Sequence, residues 1–400
     1  MLKVSQRANT IIASPIRKFL PLLQAAERRG VKVLKLNVGD PDIAPPRLLL
    51  DTIKKYSRPV LSYAPSPGIR EHVEAWVDYY KNFGVALQPA NLIPTVGGAE
   101  AILLSLLAVS DPGDEVVVFE PFYASYKGFA VMTSVKLVPV TLRVEDNFAL
   151  PKTAVIEKKI SKKTKAIVVI NPNNPSGTVW GRSELQKIIA LAKKHNLFVI
   201  CDETYREIVF EQKPLSLLCL PVARQCAILV DSASKRFSAP GARIGCVVSF
   251  NKEVMTALLK FAMARLSAPT LEQYGLVPLL KNSTSYTTEI TAEYKKRRDV
   301  VFNSLQKMPG VTCRRPQGAF YLIAKLPVTN AEDFVKFMLT EFHYQNKTVI
   351  VTPAEDFYMT PGLGRNEIRI AYVLNVKELK EAMDILKRGL AQYSLVFKNI

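Results

Sequence analysis

Lys235 stands in the run Asp231-Ser232-Ala233-Ser234-Lys235-Arg236-Phe237-Ser238-Ala239-Pro240-Gly241-Ala242-Arg243-Ile244-Gly245. An amine lies beside two hydroxyls, and a guanidinium follows eight residues later, just past a glycine. A lysine amine attacks carbonyls to form a Schiff base, and an arginine fork clamps phosphate. An aldehyde and a phosphate occur together in pyridoxal 5′-phosphate, which makes that molecule the candidate ligand. The plainer reading is a strand end with ordinary surface lysines.

Three further segments bear on the choice. Asn171-Pro172-Asn173-Asn174-Pro175-Ser176-Gly177 follows the apolar run 166–170, the pattern of a buried parallel strand entering a turn. Ligands of open α/β sheets gather at such strand ends. The run Leu197-Phe198-Val199-Ile200-Cys201-Asp202-Glu203-Thr204-Tyr205 closes another buried strand with a carboxylate and then a phenol. Pro94-Thr95-Val96-Gly97-Gly98-Ala99-Glu100 puts a glycine pair at a helix start, where free N–H groups bind phosphate. Singly these are a turn, a cap and a loop. Together, in this order, they describe one site.

The pattern S-x-S-K-x5-G-x-R-x-G, with the order Asn174, Asp202, Lys235, resembles the class I aminotransferases of the fold-type-I pyridoxal-phosphate enzymes. The resemblance runs from Leu36-Asn37-Val38-Gly39-Asp40-Pro41-Asp42 to Glu367-Ile368-Arg369-Ile370-Ala371-Tyr372. It implies Lys235 as the cofactor's covalent partner and proton shuttle, and Asp202 against the pyridine nitrogen. Tyr205 and Asn174 match the donors to the cofactor's phenolic oxygen. Ser232, Arg243 and the backbone of Gly98 and Ala99 match the phosphate cradle, with Ser234 a weaker candidate. Tyr63 matches a tyrosine that reaches the phosphate from a second subunit, which implies a homodimer with shared sites. Tyr123 matches the ring-stacking residue, although Phe122 and Tyr126 have the same claim by composition. Arg369 matches the residue for the substrate α-carboxylate, with Gly39 and Asn174 completing that subsite. The alternation Ile368-Arg369-Ile370 sets Arg369 on the opposite strand face from two apolar residues, as a cleft-facing charge requires.

The implied reaction is a ping-pong exchange of an amino group between an amino acid and a 2-oxo acid, with aspartate and 2-oxoglutarate as the leading pair. The side-chain subsite departs from the pattern. Ala99 stands where some aspartate enzymes carry a lysine, and Arg265 lies near, but offset from, an arginine that others contribute from the second subunit. Alanine or aromatic aminotransferases and β-lyases would keep the same cofactor site. A ligand-sensing regulator would need an added DNA-binding region, and few residues precede Gly39.

The remaining composition narrows the class. At 400 residues, 48% hydrophobic and 22% charged, the chain is an ordinary globular protein with room for a large core. No apolar stretch reaches the length of a membrane span, and the first twenty residues lack a secretory core, so the cytoplasm is the expected location. Five scattered cysteines and three separated histidines follow no disulfide or metal spacing. The net charge of +19 favours anionic substrates and cofactor phosphate. The basic residues are dispersed and lack an aromatic platform, which argues against nucleic acid as a partner.

Strands are predicted at 115–120, 135–142, 166–170, 198–202, 227–231 and 245–250, with helices at 98–110, 182–195 and 253–265. Such alternation predicts an α/β fold: three layers around a mostly parallel sheet. The last strand follows its predecessor too closely for a helical crossover, so it is expected to be the one antiparallel strand. A long helix over 286–306, a strand over 319–324 and helices over 330–341 and 376–393 predict a smaller α+β domain. The expected division is a large domain over 44–290 and a small one formed by 1–43 with 291–400.

Overall fold

The computed structural model describes residues 2–397 apart from 12, 13 and 15. Its strands are β1 (Lys32–Lys35), β2 (Leu92–Val96), β3 (Glu115–Glu120), β4 (Lys136–Thr141), β5 (Thr164–Ile170), β6 (Phe198–Asp202) and β7 (Ala227–Ser232). They continue with β8 (Ile244–Ser249), β9 (Thr312–Cys313), β10 (Tyr321–Lys325), β11 (Lys347–Ile350), β12 (Thr352–Pro353) and β13 (Glu367–Ala371).

Seven of them form one sheet in the order β2-β8-β7-β6-β5-β3-β4. β8 runs antiparallel to both of its neighbours, and the other pairings are parallel. The alternation of side chains explains the layers. Val117, Phe119, Ile167, Val169, Val199 and Leu229 pack into one core with the helices Arg70–Lys81, Arg182–Lys194 and Thr270–Lys281. Val116, Val118, Val168, Ile200, Ile228 and Val230 pack into another with Gly97–Val109 and Lys252–Arg265. Both faces are therefore buried, as a parallel sheet with helical crossovers demands.

A third core joins Phe19–Leu36 to side chains beyond Ile290. It surrounds the antiparallel sheet β12-β13-β10-β9 and the parallel pair β1-β11. This arrangement carries the C-terminal part of the chain and its early residues to the rim of the large sheet. The helix predicted over 286–306 spans Ser283–Leu305, and the one predicted over 376–393 spans Val376–Phe397.

β2 went unpredicted, and its position explains why. It lies at the sheet edge and pairs with β8 alone, so Pro94 costs the sheet no central hydrogen bond.

Candidate active site

The carboxyl ends of β5, β6 and β7 open onto a cavity of about 540 Å³, within the range of small-molecule sites. Asn174, Asp202, Tyr205, Ser232, Lys235, Arg243, Gly98, Ala99, Tyr123, Arg369 and Gly39 all line it. Tyr63, which the resemblance gives to the site of a second subunit, lies outside the cavity of its own chain and is 80% exposed.

Each element is held by local chemistry. The turn after β5 is closed by its own asparagines: Trp180 N donates to Asn171 Oδ1 (2.8 Å), and Asn173 Oδ1 accepts from Ser176 N and Oγ (3.0 and 2.8 Å). Asn174 is thereby fixed at the cavity wall. Its Oδ1 accepts from Arg369 (3.2 Å), so its Nδ2 donor is left available. At the start of the helix Gly97–Val109, Gly97 adopts φ +71°, and a Cβ there would meet the Arg243 guanidinium at 2.8 Å. A side chain at Gly245 would strike the Gly98 backbone nitrogen at 3.0 Å and Asp231 O at 2.5 Å. Glycine at both places lets β8, Arg243 and the start of helix Gly97–Val109 converge. Ser232 caps the short helix Ala233–Arg236, accepting from Ser234 N at 3.2 Å and donating to Ser234 Oγ at 2.8 Å.

Arg369 is 1% exposed, and no carboxylate pairs with it among the described residues. It donates to Asn174 Oδ1 and to Asn37 O, and lies over the rings of Tyr321 and Phe357 at 4.5 and 4.9 Å. Its Nε has no partner. A buried guanidinium without a counter-charge is costly, and a bidentate carboxylate is the group that satisfies it.

Lys235 donates to Gly39 O at 2.7 Å. Burial lowers its pKa to about 8, assisted by the charges of Arg369 and Arg243 and opposed by Asp40. Because the neutral amine is the nucleophile, reductive labelling of the cofactor-free protein by an aldehyde should rise as pH passes through about 8. An exposed lysine responds above pH 10. Mass mapping of the borohydride-fixed adduct against pH measures this, and a midpoint near 10.5 at Lys235 would contradict it.

Burial moves Asp202 the other way, up to about 6, despite donation by Thr204 N at 3.1 Å. The Tyr126 hydroxyl lies in electrostatic reach of this carboxylate but makes no well-formed hydrogen bond. A carboxylate held so dry is ready for a cationic partner. Tyr205 shares a 2.8 Å hydrogen bond with Tyr321, and burial raises its pKa, which keeps it a phenol donor.

The structure separates the three aromatic candidates of the segment after β3. Tyr123 faces the cavity, while Phe122 and Tyr126 are buried in the adjoining core. Arg265 is not in the cavity of its own chain. Its Nε lies 3.3 Å from Glu100, and it donates to Pro94 O at 3.0 Å, so it braces the start of the helix Gly97–Val109. Sequence reasoning missed Tyr321, Thr204, Asp40 and Arg17, all of which line the cavity. Tyr321 sits beside a second aromatic, Phe320, and only the strand register says which ring faces inward.

Beneath the site lies a buried ionic network. Arg206 pairs with Glu203 and Asp231 at 2.7 Å each, and Arg236 pairs with Asp231 and with Glu207. Tyr80 donates to Asp231 at 2.6 Å. Four members are each next in sequence to a cavity residue: Glu203 to Asp202, Arg206 to Tyr205, Asp231 to Ser232, and Arg236 to Lys235. The network ties the β6 and β7 loops to each other.

The sequence profile of the family "Aminotransferase class I and II" matches residues 31–386. The chain belongs to this aminotransferase family. Similar members differ in the substrates they are named for. An aspartate aminotransferase of Pyrococcus horikoshii is 30% identical over 395 residues, covering 97% of each chain. An aromatic-amino-acid aminotransferase of Thermococcus litoralis is 29% identical over 98% of this chain and all of its own length. A solved alanine aminotransferase from Pyrococcus furiosus is 30% identical, with a TM-score of 0.89 over 98% of this chain and 100% of that one.

Proposed function

We propose that this transaminase uses pyridoxal 5′-phosphate to exchange the amino group of an amino acid, aspartate first, with a 2-oxo acid, 2-oxoglutarate first. The observation that carries the reading is the pairing of two opposite deficits in one cavity. Arg369 is a buried cation without an anion, and Asp202 is a buried carboxylate pushed up to about 6 without a cation. A substrate carboxylate satisfies the first and a protonated pyridine the second. When bound, the cofactor supplies an aldehyde for amine exchange and a ring that accepts electrons from the substrate α-carbon.

The surrounding residues fit that group. The N–H groups of Gly98 and Ala99, the hydroxyls of Ser232 and Ser234, and Arg243 would hold the phosphate. Asp202 would hold the ring nitrogen proton, and Tyr205 and Asn174 Nδ2 would donate to the phenolic oxygen. Tyr123 would lie against the ring. Lys235, whose pKa burial lowers to about 8, would take a proton from the substrate α-carbon and return it. Tyr63 would serve the site of a second subunit, making the working form a homodimer.

The test is a panel of amino donors with 2-oxoglutarate, run on the wild type and Arg369→Leu. Every donor carries the α-carboxylate, so Arg369→Leu should lower kcat/KM for aspartate, alanine and phenylalanine alike, by about 100-fold. A loss confined to one donor class would place the α-carboxylate elsewhere. Absence of transamination by the wild type with any donor would overturn the reading.

A further inference from the structure

Four basic side chains line the catalytic cavity: Lys235, Arg243, Arg369 and Arg17. The first three hydrogen-bond to protein and have roles above. Lys235 donates to Gly39 O, Arg243 to Pro240 O, and Arg369 to Asn174 and Asn37. The Arg17 guanidinium makes no hydrogen bond or ion pair with any described residue, and Arg17 is an exposed residue of the cavity lining.

Its backbone, by contrast, is pinned on both sides. Ile16 O accepts from the buried Asn37 Nδ2 at 3.2 Å, and Asn37 O is an acceptor for Arg369. Arg17 N donates to Ser14 O at 3.0 Å. On the other side, Lys18 forms ion pairs with Glu332 and Asp356, and Phe19 is buried in the third core. The anchors hold the Arg17 backbone at the cavity, one residue from the carbonyl that Asn37 binds.

The rest of the lining leaves one anion unmatched. Ala99, Ile102, Tyr123 and Ser125 are uncharged, and Arg265 is occupied by Glu100. Asp202 and Asp40 are the lining carboxylates, and the charge of Asp40 acts on Lys235. A dicarboxylic substrate held at Arg369 by its α-carboxylate therefore has one free cation among the described cavity residues for its second. We infer that Arg17 binds the distal carboxylate of a dicarboxylic substrate and sets the preference for such substrates over monocarboxylic ones. This rests on the transaminase reading above.

Two measurements test it together. The first is binding of succinate and of butyrate, equal in chain length, to the purified protein by calorimetry. The second is the ratio of kcat/KM for aspartate and glutamate to that for alanine and phenylalanine, with pyridoxal phosphate present. Arg17→Met keeps the aliphatic stem and removes the charge. It should weaken succinate relative to butyrate about tenfold or more, the scale of a lost charged hydrogen bond, and lower the donor ratio by a similar factor. Arg17→Lys should recover part of both. Equal change for both acids, an unchanged donor ratio, or a wild type that binds butyrate as well as succinate would overturn the inference. A wild type active only on monocarboxylic donors would overturn it while leaving the transaminase reading intact. A wild type without transamination would fail that reading instead, and the succinate comparison would still judge Arg17.

Discussion

Lys235→Ala should lower transamination by at least about 10⁴-fold, measured as single-turnover conversion of an amino donor. Two functions leave with the amine. On the proposed reading, one is the covalent anchor for the cofactor aldehyde, and the other is a positioned base, worth about 10²–10⁴ by itself. The replacement side chain has no titratable group. Among the described residues no second lysine lines the cavity to substitute for it. The phosphate cradle, Asp202 and Tyr123 are untouched by the change, so pyridoxal phosphate should still bind non-covalently. A small primary amine added to the solution should restore part of the proton transfer. Turnover within tenfold of the wild type would show that Lys235 is not the group at the α-carbon.

Asp202→Asn should lower turnover by at least about 100-fold. The amide keeps the shape and can still accept from Thr204 N, so the β6 loop should keep its conformation. What disappears is the charge. At contact distance and an effective dielectric near 20, its attraction for a pyridine N–H⁺ is on the order of 4 kcal/mol, enough to decide whether the ring stays protonated. Acid should mimic the substitution in the cofactor-free protein. Asp202 has a pKa of about 6 there, so pyridoxal phosphate should bind less tightly as pH falls through that value and the carboxylate is neutralised. Near-wild-type turnover of Asp202→Asn would mean that the carboxylate does not face the ring nitrogen.

The sheet was legible because its strands are buried on both faces and read as continuous apolar runs. Strands β3 and β6 were predicted to the residue, and β8 was correctly expected to be antiparallel from the shortness of the connection at Pro240 and Gly241. That Gly98, Ala99, Ser232 and Arg243 would meet was legible because glycines and an arginine must sit at fixed spacings for backbones to approach. Other features carried no local signal. Pro94 disguised an edge strand. Tyr321 reaches the cavity from a segment whose pattern says only strand, and Arg17 from an early segment with no periodic pattern, and the third core anchors Tyr321 and Phe19 beside the cavity. Composition left Tyr123 tied with two neighbours, because burial rather than residue type separates them.

The buried ionic network constrains how the chain can change over generations. Arg206, Arg236, Asp231 and Glu203 meet where water cannot replace a lost partner. Substitution of one strands the charge of another, so these positions can drift only as sets. The residues they adjoin inherit that rigidity. Arg17 sits at the opposite extreme, since no protein charge depends on it. On the role proposed for Arg17, substrate choice would be free to change while the ionic network holds the β6 and β7 loops in place.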